Sequence, residues 1–169
     1  DTEEAGEGTN PESVESKIES RLIEVNWFPV MLFEELRRNP ELMKGLDDRK
    51  FEEFCAELLD RIGFEKVQLT PRSGDGGRDV IAIKTIHGIP ILLAFECKRF
   101  KESRKIGLGI MRSLLGSVVH RNTMVNKGVL LTTSSFTAPS KTFIAQEPRV
   151  DGRDFAGLVE WIKSTSPRK

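Results

Sequence analysis

The run IPILLAFECKRF, residues 89–100, constrains the fold more than any other stretch of the chain. An apolar segment leads without interruption into Glu96 and Lys98, two charges separated by a single residue. Side chains alternate along a strand, so Glu96 and Lys98 share one face while Phe95 and Cys97 point to the other. A strand that begins in a core ends on two charges only where that face meets water, a partner charge or a metal. The run therefore predicts a buried strand whose last side chains reach the rim of a sheet.

The neighbouring patterns supply the rest of that sheet. Asp47 or Asp48 can cap a helix that runs to about Ile62 and is stopped by Gly63. Phe51, Phe54, Cys55, Leu58, Leu59 and Ile62 form its apolar stripe. At about 100° per residue Glu52 falls on the border of that stripe and can approach the sheet edge, whereas Glu53 points away to solvent. KVQLT reads as a short strand, PRSGDGGR as a glycine-rich turn and DVIAIKT as an alternating strand; His87-Gly88 then turns the chain into residues 89–98. Helices are expected over 106–122, 137–146 and 154–164, with GVLLTTS as a further strand after the first of them. The order αβββαβα predicts an α/β domain with a mixed central sheet flanked by helices.

Strand geometry gives the charges a purpose. Asp79 opens the strand after the glycine turn, and a hairpin that registers it near Glu96 brings two carboxylates and the Lys98 ammonium to one end of the sheet. Carboxylates that close repel unless a cation sits between them. Magnesium, with manganese able to substitute, suits such a pair, and the backbone carbonyl of Cys97 would add a third oxygen. Lys98 would then hold a phosphate or the attacking water as a compact cation. Taken singly these features are bland: an acid and a lysine two apart usually form a surface ion pair, and GDGG is usually only a turn. Their ordered combination is what points to chemistry.

FEEFCAELLDRIGF, SGDGGRDVIAI, AFECKRF and KGVLLTTSSFT together closely resemble the Mrr-like restriction endonuclease family of the PD-(D/E)xK nuclease superfamily. The resemblance covers roughly residues 47–162. It implies a restriction-endonuclease-like αβββαβ core, a divalent metal and cleavage of DNA phosphodiesters. Residue by residue, it assigns the helix glutamate to Glu52, the metal aspartate to Asp79 and the last motif to Glu96 and Lys98. Much of the family carries QxK at that motif, so Glu96 brings this chain nearer the wider superfamily. The C-terminal part, QEPRVDGRDFAGLVEWI, is shorter between about Gln146 and Arg149 than the family's helix, strand and helix would be.

Charge distribution agrees with an anionic partner. The formal net charge is zero, yet residues 1–20 hold seven acids against Lys17 alone, a balance of −6 that leaves +6 on the remainder. Between 98 and 127 eight cations face only Glu102. Of these, Arg99, Lys101, Arg104, Lys105 and Arg112 are the expected contacts to the DNA backbone, a solvated helix face being the plainer alternative. Residues 1–12 read as a disordered acidic lead, 13–46 as a helical extension, 47–164 as the nuclease domain and 165–169 as a tail. No apolar run approaches the ~20 residues of a membrane span, and Cys55 and Cys97 read as reduced core thiols, so a soluble, cytoplasmic chain is expected. His87 and His120 read as surface histidines, and Thr132, Thr133, Ser134 and Ser135 as helix caps rather than phosphate ligands. No GxxxxGK[ST] occurs, so ATP is not handled here. A separate recognition domain, a motor subunit and a symmetric homodimer are all compatible partners. Two other classes compete with a nuclease: a noncatalytic nucleic-acid-binding module on the same scaffold, and a protein-interaction module docking through the acidic lead.

Overall fold

The computed structural model describes residues 28–71, 79–120 and 123–167. The acidic lead, the first half of the helical extension, Arg121 and positions 72–78 of the glycine-rich turn lie outside the described residues. Five strands form one sheet in the order β1-β2-β3-β4-β5: β1 Glu65–Leu69, β2 Val80–Ile86, β3 Ile89–Lys98, β4 Lys127–Thr132 and β5 Val150–Arg153. The first three strands are antiparallel, and β4 and β5 continue parallel to β3. Mixed pairing follows from the connections: a tight turn joins β2 to β3, whereas a helix intervenes before each of the last two strands.

Helices cover both faces. On one lie α1 (Val30–Arg38), α2 (Asp48–Arg61) and α5 (Phe155–Ser164); on the other lie α3 (Leu108–Val119) and α4 (Ala138–Gln146). Asp47 is the residue that caps α2, its side chain accepting from the Lys50 amide at 2.7 Å. Gly63, at φ +104°, lets the chain leave that helix in a backbone conformation a side chain would disfavour. Phe51, Phe54, Cys55, Leu58 and Leu59 of the expected stripe are buried, Ile62 at the helix end only partly, and Phe54 gathers the rings of Phe28, Phe33 and Phe51 around it. α1 begins directly after Pro29, and its Phe33 and Leu36 enter the same core as α2.

A helix boundary differs from expectation. α3 starts at Leu108 rather than 106 because Ile106 pairs with Phe136 in an isolated parallel bridge beyond the end of β4. The last strand of the family's helix, strand and helix, left open because the stretch around it is short, is present: VDGR forms β5 and pairs Gly128 to Val150 and Leu131 to Arg153. Glycine is required within it, since a β-carbon at Gly152 would collide with the Phe136 ring. The short α4–β5 connection is drawn tight by Arg149, which grips Glu147 through two hydrogen bonds at 2.7 and 3.0 Å.

Candidate active site

The antiparallel register pairs Val80 with Phe95, so Asp79 stands one step further, opposite Glu96. Its amide donates to the Phe95 carbonyl at 2.9 Å, and its Oδ2 accepts from the Cys97 amide at 2.6 Å. Asp79 thus extends β2 by one residue and turns its carboxylate onto the backbone of β3. Phe95 enters the core shared with α2, so alternation puts Glu96 and Lys98 on the opposite face of β3. There Lys98 Nζ lies 3.1 Å from Glu96 Oε1, with the Glu96 side chain 13% exposed beneath it. The amide and carbonyl of one strand residue project to the same side, which directs the Cys97 carbonyl toward Asp79 as well.

Glu52, Asp79, Cys97, Lys98, Arg99, Lys101 and Arg104 line a single cleft of about 490 Å³ at this end of the sheet. Most of the expected site residues thereby converge on it, and Glu96 meets it through its bond to Lys98 rather than by lining it. Glu52 reaches the cleft from α2 with its carboxylate bonded to Arg49 at 2.9 Å, while Glu53 turns to Lys50 at 2.9 Å and stays outside. Glu52 thus reaches the cleft as expected, whereas Glu53, expected to face solvent, is as much covered as Glu52, both side chains being 20% exposed. Lys105 and Arg112 are exposed but stand apart from the cleft lining. Arg99 is pulled sideways, bonding Asp48 Oδ1 at 3.1 Å and the Lys44 carbonyl at 3.4 Å, so it closes one wall with its charge partly compensated.

The electrostatics single out Asp79. Burial raises its carboxyl from the ordinary 3.8 to about 6; the Cys97 amide pulls it back, Glu52 and Glu96 push it up, and Lys98 lowers it slightly. A carboxylate in this position is held at a cost. The Cys97 thiol is inert by contrast: a hydrogen bond to Cys55 and burial push it well above the usual thiol range, so it stays protonated.

The loop that carries Lys101 and Arg104 is fastened from beneath by residues expected to serve as helix caps. Thr133 Oγ1 donates to the Phe100 carbonyl at 2.8 Å, and Ser134 Oγ donates to the carbonyls of Arg104 at 2.7 Å and Glu102 at 3.3 Å. Thr137 takes the capping role at α4 instead. Arg104 in turn lays its guanidinium over the Phe100 ring, 3.9 Å from the centroid. The cationic loop is thus a built wall of the cleft. The sequence marks Thr133 and Ser134 only as caps and does not mark Arg49, which only its three-residue spacing to Glu52 could have signalled.

A mixed sheet flanked by helices, with an acid at the start of one strand, an ExK pair ending the next and a glutamate from the preceding helix, defines a restriction-endonuclease-like protein. The chain belongs to the Mrr catalytic family, described as restriction endonuclease, whose model matches residues 43–162. It is similar to the uncharacterized protein y4cE of Sinorhizobium fredii (strain NBRC 101917 / NGR234), 33% identical over 103 residues, which are 61% of this chain and 26% of that protein. Among solved structures it resembles the DNA modification-dependent restriction endonuclease AspBHI, with a TM-score of 0.53 and 23% identity over 86% of this chain and 35% of that one. The MspJI restriction endonuclease in complex with a 27-mer oligonucleotide matches with a TM-score of 0.49 and 18% identity, over 79% of this chain and 30% of that one. The chain spans about a third or less of each of these relatives. Among the described residues no helix is long and apolar enough to cross a membrane.

Proposed function

We propose that this chain hydrolyses DNA phosphodiester bonds with a divalent metal, using Asp79, Glu96 and Lys98, with Glu52 in support. The observation that carries the reading is Asp79 itself: a carboxyl raised to about 6, opposite Glu96 in register and beside Glu52 in one cleft with Lys98, Lys101 and Arg104. A protein that only bound DNA would gain nothing from acids gathered where the polyanion must lie.

The donor set fits magnesium. Among the described residues no three acid, histidine or cysteine side chains gather as a ready metal cage. Two carboxylates, from Asp79 and Glu96, and the Cys97 carbonyl would leave the remaining positions to water, which is how magnesium prefers to be held. The bound ion would supply positive charge at the phosphate and a water of lowered pKa. Lys98 would bind a non-bridging phosphate oxygen as negative charge grows there, and Lys101 and Arg104 would hold the flanking backbone. Water adds to phosphorus, one phosphorus–oxygen ester bond breaks, and a phosphomonoester and an alcohol leave.

Incubating the purified chain with supercoiled, linear, modified and single-stranded DNA, with and without magnesium, tests the proposal. Magnesium-dependent cleavage that disappears in Asp79→Ala is expected. Cleavage by Asp79→Ala at the parent rate would remove Asp79 from the mechanism, and no cleavage by the parent on any substrate would leave only a binding module. The modification-dependent activity named for AspBHI makes modified duplexes the first substrates to try.

A further inference from the structure

We infer that Arg49 is a positioning residue that ties the helix acid Glu52 to the strand acid Asp79 through Thr70, an inference that rests on the nuclease reading of the cleft. Arg49 stands on α2 and is not part of the cleft lining. Its NH1 group carries two hydrogens, and both are used: one bond runs to Glu52 Oε2 at 2.9 Å and the other to the Thr70 carbonyl at 2.9 Å, twenty-one residues away. Thr70 then grips Asp79 twice. Its amide and its Oγ1 donate to the Asp79 carbonyl at 2.9 and 3.1 Å. Asp79 completes the chain by bonding β3 at the Phe95 carbonyl and the Cys97 amide.

These bonds join α2, the end of β1, the start of β2 and the end of β3 in one line. Thr70 and Asp79 are also the two feet of the glycine-rich turn, so whatever that turn does, its feet are fixed to each other and then to the helix. The arrangement has an electrostatic side. Glu52 presses on the Asp79 carboxyl with like charge, and Arg49 holds Glu52 from behind while offsetting part of that charge. A three-apart ion pair on a helix is ordinarily worth little. What sets this one apart is the second bond to Thr70, which an ordinary helical pair has no reason to make.

Three measurements decide it, on Arg49→Met, Thr70→Val and the double variant. Thr70→Val keeps the size of the side chain and removes only the Oγ1 bond. Manganese titrated alone into DNA-free protein should bind Arg49→Met about ten- to a hundred-fold more weakly than the parent, the range usual for groups that orient a ligand. In DNA cleavage kcat should fall with KM for DNA nearly unchanged, because every group that meets a phosphate is still in place. Hydrogen exchange at the Thr70 and Cys97 amides should quicken in Arg49→Met while the amides of Leu130 and Leu131, in the core of β4, keep their protection. The double variant should lose less than the product of the single losses, since both act on one line. Unchanged exchange at Thr70 and Cys97 together with parent-like manganese affinity would overturn the inference, as would strictly multiplicative losses. The exchange arm needs no catalysis: a parent that neither binds manganese nor cuts DNA removes the nuclease reading, while quickened exchange in Arg49→Met would still identify Arg49 as the group that holds Asp79.

Discussion

Replacing Asp79 by asparagine should abolish cleavage and at the same time make the folded chain more stable at pH 8. The raised carboxyl explains why. In the native state Asp79 holds its proton up to about 6, against 3.8 ordinarily, because burial and the neighbours Glu52 and Glu96 disfavour its charge. Each tenfold change in proton affinity is about 1.4 kcal/mol, so the whole displacement corresponds to about 3 kcal/mol. Asp79 is only half-buried, and screening by solvent reduces this to about 1–2 kcal/mol. The native state holds more protons than the unfolded state between about pH 4 and 6, so stability falls as pH rises through that window and stays lower above it. Asparagine has no charge to lose and still offers Oδ1 to the Cys97 amide. Urea unfolding with EDTA present should show Asp79→Asn more stable than the parent by about 1–2 kcal/mol at pH 8, with the gap closing toward pH 4. Magnesium at a hundred times its dissociation constant should then stabilise the parent by about 3 kcal/mol and leave the variant unmoved. An asparagine variant less stable than the parent at pH 8, or a gap independent of pH, would show that the Asp79 carboxylate is not held at a cost.

Three further outcomes follow from the same geometry. Lys98→Ala should cut DNA about two or more orders of magnitude more slowly while remaining folded, with some loss of stability from the Glu96 carboxylate left without its partner, measured by single-turnover cleavage and thermal unfolding; parent-like cleavage would remove Lys98 from the mechanism. Glu52→Gln should lower kcat while Glu53→Gln leaves it at the parent value, because only Glu52 lines the cleft; equal effects would undo the choice between them. Changing Lys101, Arg104 and Lys105 to Gln in an Asp79→Ala background should weaken binding to unrelated duplexes alike and flatten the salt slope by roughly one unit for each cation that had met a phosphate. Lys105 stands off the cleft, so a flattening of about two units is expected rather than three. An unchanged slope would place the DNA elsewhere.

The central elements were legible because their signals are local. A capping aspartate, an apolar stripe and a terminating glycine bound α2, and period-two alternation orients Glu96 and Lys98 with no knowledge of the rest. The register that sets Asp79 against Glu96 also follows from a short hairpin, whose turn leaves few alternatives. β5 has no local signal of its own, for the opposite reason. VDGR offers one apolar side chain in four residues, and it becomes a strand only because β4 lends it an edge and the Phe136 ring packs over Gly152. Thr133 and Ser134 misled because a hydroxyl after a strand and before a helix has the composition of a cap; the fold uses it to bind carbonyls thirty or more residues away. Arg49 and Thr70 are likewise joined across a distance that no local pattern encodes.

The pairing of charges within the site shows where its free energy is concentrated. Glu52 has Arg49 at 2.9 Å, Glu96 has Lys98 at 3.1 Å and Asp48 has Arg99 at 3.1 Å. Among the described acids of the site, Asp79 is the one whose carboxylate is met by a neutral amide rather than a cation. Its neighbours are therefore close to balanced, and the unmet demand for positive charge falls on a single carboxylate. A structural ion-pair network would distribute cations to every acid, since an uncompensated carboxylate lowers stability without any return in the free protein. Under the proposed function, this demand at the strand start, raised further by the like charge of Glu52 and Glu96, is the one a small oxygen-seeking cation would meet. The cations that face the cleft without closing on Asp79, Lys101 and Arg104, are instead held out on a loop pinned by Thr133 and Ser134, where they can meet a phosphate backbone that enters the cleft. The proposed function therefore divides attraction of DNA and activation of its phosphate between separate groups, and substitutions in one should leave the other measurable.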